Sequence, residues 1–201
     1  MLLQKGKLFI LSGPSGSGKS TILKEVFPRM PKAHFSVSVT TRSPRPDEVA
    51  GVHYEYITEE AFLELKEKGG LLESNYHFGN WYGTPKDPIE TRLSGGEDVL
   101  LDIEVEGAAQ VKGKMSAAVT IFLFPPSMPI LENRLRLRAT DTEEKIEKRL
   151  ARAQEELERA MFYDYLVIND DLSVAVDEVL AIIKAEGCRL ESRKHLIMPE
   201  A

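Results

Sequence analysis

The chain has 201 residues, of which 42% are hydrophobic and 29% are charged, and its formal net charge is −6. This composition is ordinary for a globular protein, and the length suffices for one domain with insertions. A net negative charge gives no support for a nucleic-acid partner, and no apolar run is long enough to span a bilayer. A single cysteine, Cys188, excludes an intrachain disulfide and favours a cytoplasmic location.

The first motif along the chain is a glycine-rich loop at residues 13–20, with the sequence GPSGSGKS. It matches the phosphate-binding pattern G-x-x-x-x-G-K-[ST] at every fixed position, with an apolar run before it and a helical segment after it. Glycines allow consecutive backbone N–H groups to surround an anion. Lys19 is expected to reach the phosphates of a nucleotide, and Ser20 to offer its hydroxyl to Mg²⁺. The alternative is a turn that only joins a strand to a helix.

Four short apolar runs predict buried parallel strands, because such strands are hydrophobic on both faces. These runs lie at 8–11, 99–101, 119–124 and 166–168. Helical segments separate them, which predicts an α/β fold with a P-loop parallel sheet core flanked by helices, a small mixed α/β insertion and a helical lid. The expected parts are the core (1–33, 88–130 and 160–201), the insertion (34–87) and the lid (131–159).

The insertion has a different pattern from the buried runs. Alternating residues at 34–39 and at 54–57 each predict a strand with one buried face. Thr58 is placed to cap a short helix that ends at Gly69. These features predict a small unit with its own antiparallel strands.

Two groups of arginines are candidates for binding phosphate. Arg42 and Arg45 lie three apart in a proline-stiffened loop, and planar guanidinium groups bind phosphate through paired hydrogen bonds. Taken alone, such a turn is more often a solvated surface loop. The second group lies in the most charged helical region, where arginines can neutralise charge on a transferred phosphoryl group. Arg149 borders the apolar stripe of that helix and can turn inward, whereas Arg152 is interpreted as solvated and paired locally.

Carboxylates and aromatic residues supply further candidates. Asp102 and Glu104 follow a predicted buried strand, and the carboxyl ends of parallel strands line the ligand crevice. Glu73 could accept two N–H donors from a guanine edge, because an ionised carboxylate only accepts. From spacing alone, a surface glutamate is the favoured interpretation. Tyr54 and Tyr82 could stack on a base or donate to phosphate, although aromatic residues are more often part of the core.

In this order the motifs resemble guanylate kinase of the bacterial type, over most of the chain. The most specific segment is the run SVSVTTRSPR at 36–45. Further matching segments are FGNWYGT at 78–84, LDIE at 101–104, KRL at 148–150 and VINDD at 167–171. The chain departs from the family at Glu104, where many members have Asp, and at Leu137 and Ala139, where many have Gly.

The resemblance implies transfer of the γ-phosphoryl group of ATP to GMP, and to dGMP, with Mg²⁺ as cofactor. It also implies that the insertion binds GMP and that the lid closes on the phosphates. The implied catalytic residues are Lys19, Arg42, Arg134, Arg138 and Arg149. The implied ATP-binding residues are Gly13, Pro14, Ser15, Gly16, Ser17, Gly18, Lys19, Ser20, Thr21 and Asn169, with Ser20 also the metal ligand. The implied GMP-binding residues are Ser38, Arg42, Arg45, Tyr54, Glu73, Tyr82, Thr84, Asp102 and Glu104.

Two other functions remain open from the sequence. One is a P-loop kinase for another nucleotide or a phosphosugar, against which the paired arginines and Glu73 argue. The other is a guanylate-kinase-like module that binds phosphopeptides as a scaffold. Such modules typically have degraded P-loops, whereas this chain retains Lys19 and Ser20. The expected partners are ATP and GMP, with no nucleic acid and no membrane, and the sequence is compatible with both a monomer and a dimer.

Overall fold

The computed structural model describes residues 5–45, 48–77, 79–137 and 142–197. Within these ranges nine strands form two sheets, accompanied by eight α-helices. The strands are β1 (Leu8–Ser12), β2 (Ala33–Phe35), β3 (Ser38–Thr40), β4 (Tyr54–Tyr56), β5 (Leu71–His77), β6 (Asn80–Pro85), β7 (Asp98–Asp102), β8 (Val119–Phe124) and β9 (Tyr165–Ile168). The helices are α1 (Lys19–Val26), α2 (Glu59–Glu67), α3 (Lys86–Ser94), α4 (Val105–Lys114), α5 (Met128–Leu137), α6 (Glu143–Arg159), α7 (Leu172–Gly187) and α8 (Leu190–Ile197).

The larger sheet is parallel and has the order β2-β7-β1-β8-β9. Its central strand, β1, is buried along its whole length. Phe9 and Leu11 face a cluster that includes residues of α1 and α7, while Leu8 and Ile10 face a cluster that includes residues of α3 and α4. Because both faces of β1 are covered, its residues from Leu8 to Leu11 are all apolar. The prediction of a parallel sheet core flanked by helices is confirmed.

The prediction of one strand at 34–39 is wrong, because this segment divides between the two sheets. β2 belongs to the parallel sheet, and the N–H of Ser36 still donates to the carbonyl oxygen of Leu100 at 3.1 Å. The chain then leaves that sheet, and β3 begins the smaller one at Ser38. Alternation of side chains reports strand conformation only, whereas the partner of a strand is set by tertiary packing.

The smaller sheet is mixed and has the order β4-β3-β6-β5. β3 pairs in parallel with β4 and antiparallel with β6, which in turn pairs antiparallel with β5. α2 covers it through Phe62, a fully buried side chain that packs with Val39 and Leu71. Thr58 caps α2 as predicted, since its hydroxyl accepts the N–H of Ala61 at 3.2 Å. This sheet leaves β5 at an edge, next to α4.

Helix α5 supports the glycine-rich loop that follows β1. Leu131 and Leu135 on α5 are almost completely buried and belong to a cluster with Phe122 of β8. A Cβ added to Gly16 would lie 3.0 Å from Leu131 Cδ1, so helix and loop are in close contact. Among the described residues, no helix has the length and the apolar composition needed to cross a membrane.

Replacing Leu131 with Ala should lower the free energy of unfolding by about 2–5 kcal/mol, because it removes a fully buried side chain and leaves a cavity. Urea denaturation followed by circular dichroism measures the change. Leu137→Ala on the same helix is the matched control, because Leu137 is 75% exposed and its truncation should change stability little. Equal losses in the two variants would show that α5 is not packed as described.

Candidate active site

The loop at residues 13–20 joins the end of β1 to the start of α1. Two of its glycines, Gly13 and Gly18, have φ angles of +146° and +99°, which residues with side chains rarely adopt. There is also no room for a side chain at residue 13, since a Cβ on Gly13 would lie 2.1 Å from the carbonyl oxygen of Leu123. The N-terminal end of α1 opens onto this loop, and free N–H groups and the helix dipole there favour an anion.

Side-chain donors accompany the backbone of the loop. Lys19 Nζ donates to the carbonyl oxygen of Gly13 at 2.5 Å, so the ammonium group is folded over the loop. Ser17 is fully buried, and its hydroxyl has no hydrogen-bond partner within the described part of the chain. An unpaired buried hydroxyl costs free energy, which a ligand oxygen that reached it would remove. Ser20 and Thr21 follow in the first turn of α1, and both are exposed.

Asn169, which directly follows β9, contacts the loop and helps to hold it in position. It is 6% exposed, and its Nδ2 donates to the carbonyl oxygen of Ser17 at 2.8 Å. A Cβ on Gly18 would lie 2.2 Å from this Nδ2, so the loop and the amide fit together only because residue 18 is glycine. The carbonyl oxygen of Asn169 accepts from Arg134 of α5 at 2.8 Å. Asn169 and Arg134 are therefore part of the same support for the loop.

Helix α6 also sends a cation to the loop. Arg149 donates to the hydroxyl oxygen of Ser15 at 3.0 Å, although the two residues are 134 positions apart in the chain. Lys19, Arg134 and Arg149 thus surround one loop, which is the arrangement expected for neutralising phosphate charge. Arg138, the remaining predicted arginine of this group, lies outside the described residues.

A cavity of about 280 Å³ opens beside this loop, at the carboxyl end of β7. Seven of the nine residues that the resemblance implies for GMP line it: Ser38, Arg45, Tyr54, Glu73, Tyr82, Asp102 and Glu104. The other two, Arg42 and Thr84, are not lining residues, but they hydrogen bond to Tyr82 and Glu73, which are. The remaining lining residues are Asn75, His77 and Ile103.

Glu73 is the most enclosed carboxylate of the cavity, with 5% of its surface exposed. Thr84 Oγ1 donates to its Oε1 at 2.7 Å, and Asn75 Nδ2 donates to its Oε2 at 3.0 Å. Burial raises the pKa of Glu73, and these two hydrogen bonds oppose the rise. When ionised, the carboxylate has only acceptor sites to offer to a ligand in the cavity.

Asp102 connects the cavity to the loop. It ends β7 and is paired in register with Leu11 of β1, two residues before the loop begins. Burial raises the pKa of Asp102, and the positive charge of Lys19 opposes the rise. The two regions are therefore close enough to influence each other electrostatically.

Glu104 reaches out of the cavity toward α6. Its Oε2 accepts from Arg152 at 2.6 Å and lies 3.0 Å from Nε2 of His77. Arg152 also makes the local pair with Glu156 at 3.0 Å that its position on the helix predicts. The predicted local pairing of Arg152 is therefore present, and its contact with Glu104 is an additional one that the sequence did not indicate.

Arg42 lies beside the cavity with its guanidinium group already paired. Two of its nitrogens donate to Glu48, each at 2.9 Å, and its Nε donates to the hydroxyl of Tyr82 at 3.2 Å. The backbone N–H of Arg45 donates to the same carboxylate at 2.8 Å. Hydrogen bonding to Glu48 raises the pKa of Arg42, and the same contact lowers the pKa of Glu48 to about 2. The carboxylate of Glu48 thus accepts from the two guanidinium nitrogens of Arg42 that the family resemblance implies for binding a phosphate.

The two predicted tyrosines stand next to this arginine. The rings of Tyr54 and Tyr82 pack edge to face at 5.9 Å, and the guanidinium carbon of Arg42 lies 5.5 Å from the ring centre of Tyr54. The hydroxyl of Tyr54 is protonated at neutral pH and can donate, and burial raises its pKa further above the ordinary value of 10.0. The cavity is therefore lined by hydrogen-bond donors, from Arg45 and the two tyrosines, and by the carboxylates of Glu73, Asp102 and Glu104.

Sequence reasoning did not identify Asn75 and His77 as lining residues. A signal was present, because residues 73, 75 and 77 alternate along β5 and alternating residues of a strand share one face. Once Glu73 was a candidate, its neighbours at steps of two were candidates as well. Glu48 had no comparable signal, since its role depends on how the loop around it folds.

The chain matches the model of the guanylate kinase family over residues 5–186. Guanylate kinase of Oceanobacillus iheyensis is 48% identical over 191 residues, which cover 95% of this chain and 93% of that protein. Guanylate kinase of Gloeobacter violaceus is 49% identical over 180 residues, which cover 90% of this chain and 88% of that protein. The crystal structure of guanylate kinase from Anaplasma phagocytophilum superposes with a TM-score of 0.73 at 32% identity, covering 96% of this chain and 97% of that one. The chain therefore belongs to the guanylate kinase family.

Proposed function

We propose that this chain transfers the γ-phosphoryl group of ATP to GMP, giving ADP and GDP. Membership of the guanylate kinase family supports this reaction. The observation in the structure that carries it is the adjacency of two unlike sites. The parallel register of Leu11 with Asp102 opens the glycine-rich loop and the carboxylate-lined cavity at the same edge of the sheet. Transfer between two nucleotides requires such neighbouring sites.

The loop is the proposed site for the phosphates of ATP. Its backbone N–H groups and Lys19 would hold them, with Arg134 and Arg149 close enough to the loop to add positive charge. Phosphoryl transfer spreads negative charge over the moving group, so positioning and neutralisation supply most of the catalysis. The scaffold alternative is not favoured, since it gives no role to this convergence of cations.

Mg²⁺ is the cofactor proposed to accompany ATP. It prefers oxygen ligands and is usually held by one or two protein groups together with phosphate oxygens. Ser20 fits this role, because its hydroxyl is exposed at the start of α1, next to the loop. In the described part of the chain, no group of three or more His, Cys, Asp or Glu side chains is arranged to hold a metal ion. When bound, Mg²⁺ would neutralise charge on the phosphate oxygens.

The cavity is the proposed site for GMP. Arg45, Tyr54 and Tyr82 would hold its phosphate, and Arg42 would join them when the phosphate replaces Glu48 at its guanidinium group. Ser38, Glu73, Thr84 and Asp102 would recognise guanine, with Thr84 acting through Glu73. Guanine presents N1–H and an exocyclic amine as donors, which match the acceptors of an ionised Glu73. No general base is needed, because the acceptor phosphate is already an anion at neutral pH.

The same proposal divides the chain into three parts. Residues 34–87 contain the smaller sheet and form the GMP-binding insertion, except that His34 and Phe35 complete β2 of the parallel sheet. Residues 131–159 form the lid, and the remainder forms the core. The contact between Arg149 and Ser15 supports the assignment of α6 to the lid, since it brings that helix to the loop. We place the reaction in the cytoplasm, where an exposed free thiol such as Cys188 stays reduced.

Replacing Lys19 with Met should lower kcat about 100- to 1,000-fold, because it removes a cation that neutralises charge in the transition state. A coupled assay of ADP release measures kcat, and circular dichroism checks the fold. Lys24→Met is the matched control, since Lys24 is exposed on the same helix. A folded Lys19→Met variant with wild-type turnover would exclude the proposed role of the loop.

Replacing Arg45 with Ala should raise KM for GMP about 10- to 100-fold and leave KM for ATP nearly unchanged. The reason is the loss of one charge-assisted hydrogen bond to the phosphate of GMP. Initial rates at varied GMP and ATP test this. Arg29→Ala, at an exposed ion pair with Asp177, provides the control. An effect confined to ATP would place Arg45 at the other nucleotide.

GMP should be preferred over AMP by at least about a thousandfold in kcat/KM, because adenine would leave the buried Glu73 without donors. Glu73→Gln should reduce this preference, mainly by weakening the use of GMP. The exposed Glu67→Gln is the control and should leave the preference intact. Unchanged selectivity in Glu73→Gln would mean that guanine is recognised by other residues.

The kcat/KM for GMP should also fall on the acid side of neutrality. Since burial raises the pKa of Glu73 above its ordinary value of 4.5, the carboxylate is protonated at a higher pH than an exposed glutamate. The protonated form offers fewer acceptors to guanine, so activity is present above this pKa and lost below it. In Glu73→Gln only the decline that follows the substrate's own phosphate, with a pKa of about 6, should remain. Identical pH profiles for both proteins would contradict this.

A further inference from the structure

We propose that Asn75 is a positioning residue for the base-recognising carboxylate of Glu73, and that Gln110 of α4 fixes the direction in which Asn75 acts. This inference rests on the proposed function, because it takes Glu73 to be the group that reads guanine. It adds two residues that no motif indicated and that lie on different parts of the chain. The resulting contact joins the edge of the smaller sheet to a helix of the core.

The backbone of β5 determines the orientation of the Gln110 amide. The N–H of Ser74 can only donate, and it donates to Oε1 of Gln110 at 3.1 Å. The other end of the amide is therefore the NH₂ group, which donates to the carbonyl oxygen of Ser74 at 3.3 Å. Because β5 is an edge strand, Gln110 satisfies backbone groups that would otherwise need another strand.

The same NH₂ group then determines the orientation of Asn75. Nε2 of Gln110 lies 3.2 Å from Oδ1 of Asn75, which is the only atom of that amide able to accept. Nδ2 of Asn75 must consequently face the other way, and it donates to Oε2 of Glu73 at 3.0 Å. A reversed Asn75 would place two donors together at Gln110 and two acceptors together at Glu73. The order of donors and acceptors is thus fixed from the backbone of Ser74 to the cavity.

Glu73 is held on both oxygens by this arrangement. Thr84 of β6 donates to Oε1, and Asn75 of β5 donates to Oε2, so the carboxylate plane cannot rotate without losing a bond. α4 approaches closely behind it, because a Cβ on Gly107 would lie 3.0 Å from Oε2. The carboxylate is therefore confined in position as well as in orientation, which favours a two-armed contact with guanine.

Asn75 also acts on the charge of Glu73. The other charged groups that face this carboxylate are Glu104, which disfavours ionisation, and Lys114 of α4, which favours it. Asp102 lines the same cavity. Burial raises the pKa of Glu73, and donation from Asn75 lowers it. Removing this donor should raise the pKa of Glu73 further, so that at a given acidic pH more of the carboxyl group is protonated and accepts poorly from guanine.

The test compares three variants with matched controls in the full-length protein. Asn75→Ala removes the donor, and Asn75→Asp replaces it with an acceptor of the same shape. Gln110→Glu leaves the acceptor for Ser74 in place but removes the NH₂ group that orients Asn75. Thr91→Ala and Thr91→Asp make comparable changes at an exposed position of α3, outside the proposed sites and the lid, and should behave as wild type.

We expect KM for GMP to rise about 10- to 100-fold in Asn75→Asp and by a similar factor in Gln110→Glu, as for the loss of a hydrogen bond to a charged group. The rise in Asn75→Ala should be smaller, because no acceptor is introduced. In all three, kcat and KM for ATP should stay within about twofold of wild type, since the ATP site is not touched. The preference for GMP over IMP, which lacks the exocyclic amine, should fall in these variants. The reason is that Glu73 would no longer accept well from both N1–H and the exocyclic amine of guanine.

A second measurement does not depend on turnover. Carboxyl ¹³C NMR of the ligand-free protein should show Glu73 titrating at a higher pH in Asn75→Ala than in wild type, while Thr91→Ala leaves it unchanged. The acid limb of kcat/KM for GMP should move in the same direction. Agreement between titration and kinetics would support the positioning role.

Wild-type KM for GMP and an unmoved titration in Asn75→Ala would overturn the inference. Equal increases of KM for GMP and ATP, with a lower unfolding midpoint, would overturn it too, since they indicate a merely structural residue. If the wild-type protein fails to phosphorylate GMP, the proposed function fails instead. The NMR titration still decides in that case whether Asn75 controls Glu73.

Discussion

The parallel pairing of β1 with β7 and β8 is the constraint on which both halves of the site depend. On one side it sets Leu11 opposite Asp102, so that the loop after β1 and the carboxylate after β7 open at the same edge. On the other side it brings the carbonyl oxygen of Leu123 so close to residue 13 that only glycine fits there. The phosphate-binding loop is thus shaped by its neighbouring strand as much as by its own sequence, and the strand ends supply the groups that complete the site.

Much of the fold and of the site could be predicted because their signals are local in the sequence. Buried parallel strands are continuous apolar runs, and the strands at 8–11, 99–101, 119–124 and 166–168 were all found within one residue of their observed bounds. The glycine-rich loop combines fixed spacing with the required strand and helix. For the cavity, the motifs of the family resemblance named seven of its lining residues, since those motifs belong to strand ends and loops that converge on it.

The features that could not be predicted depend on contacts between distant parts of the chain. β2 looks like the beginning of β3, and only its partner Leu100 reveals that it belongs to another sheet. The pairing of Arg42 with Glu48 follows from a loop conformation, and charge spacing does not encode that. Gln110 lies 36 residues from Ser74, and its role exists only because an edge strand leaves backbone groups free next to α4. In each case the deciding partner is set by packing, which composition and periodicity do not report.

The ion pair between Arg152 and Glu104 makes one contact of helix α6 sensitive to the salt concentration of the solution. The two side chains are 39% and 50% exposed, and ion pairs near the surface contribute only about 0–1 kcal/mol. Helix α6 is held mainly by its apolar side, where Ile146 and Ala153 are buried in the cluster around Phe122. Added salt screens such charges over distances of about 8–10 Å at physiological strength. Added salt thus weakens this contact of α6 with the rim of the cavity, and it leaves in place the apolar packing that holds the helix and Arg149 with it.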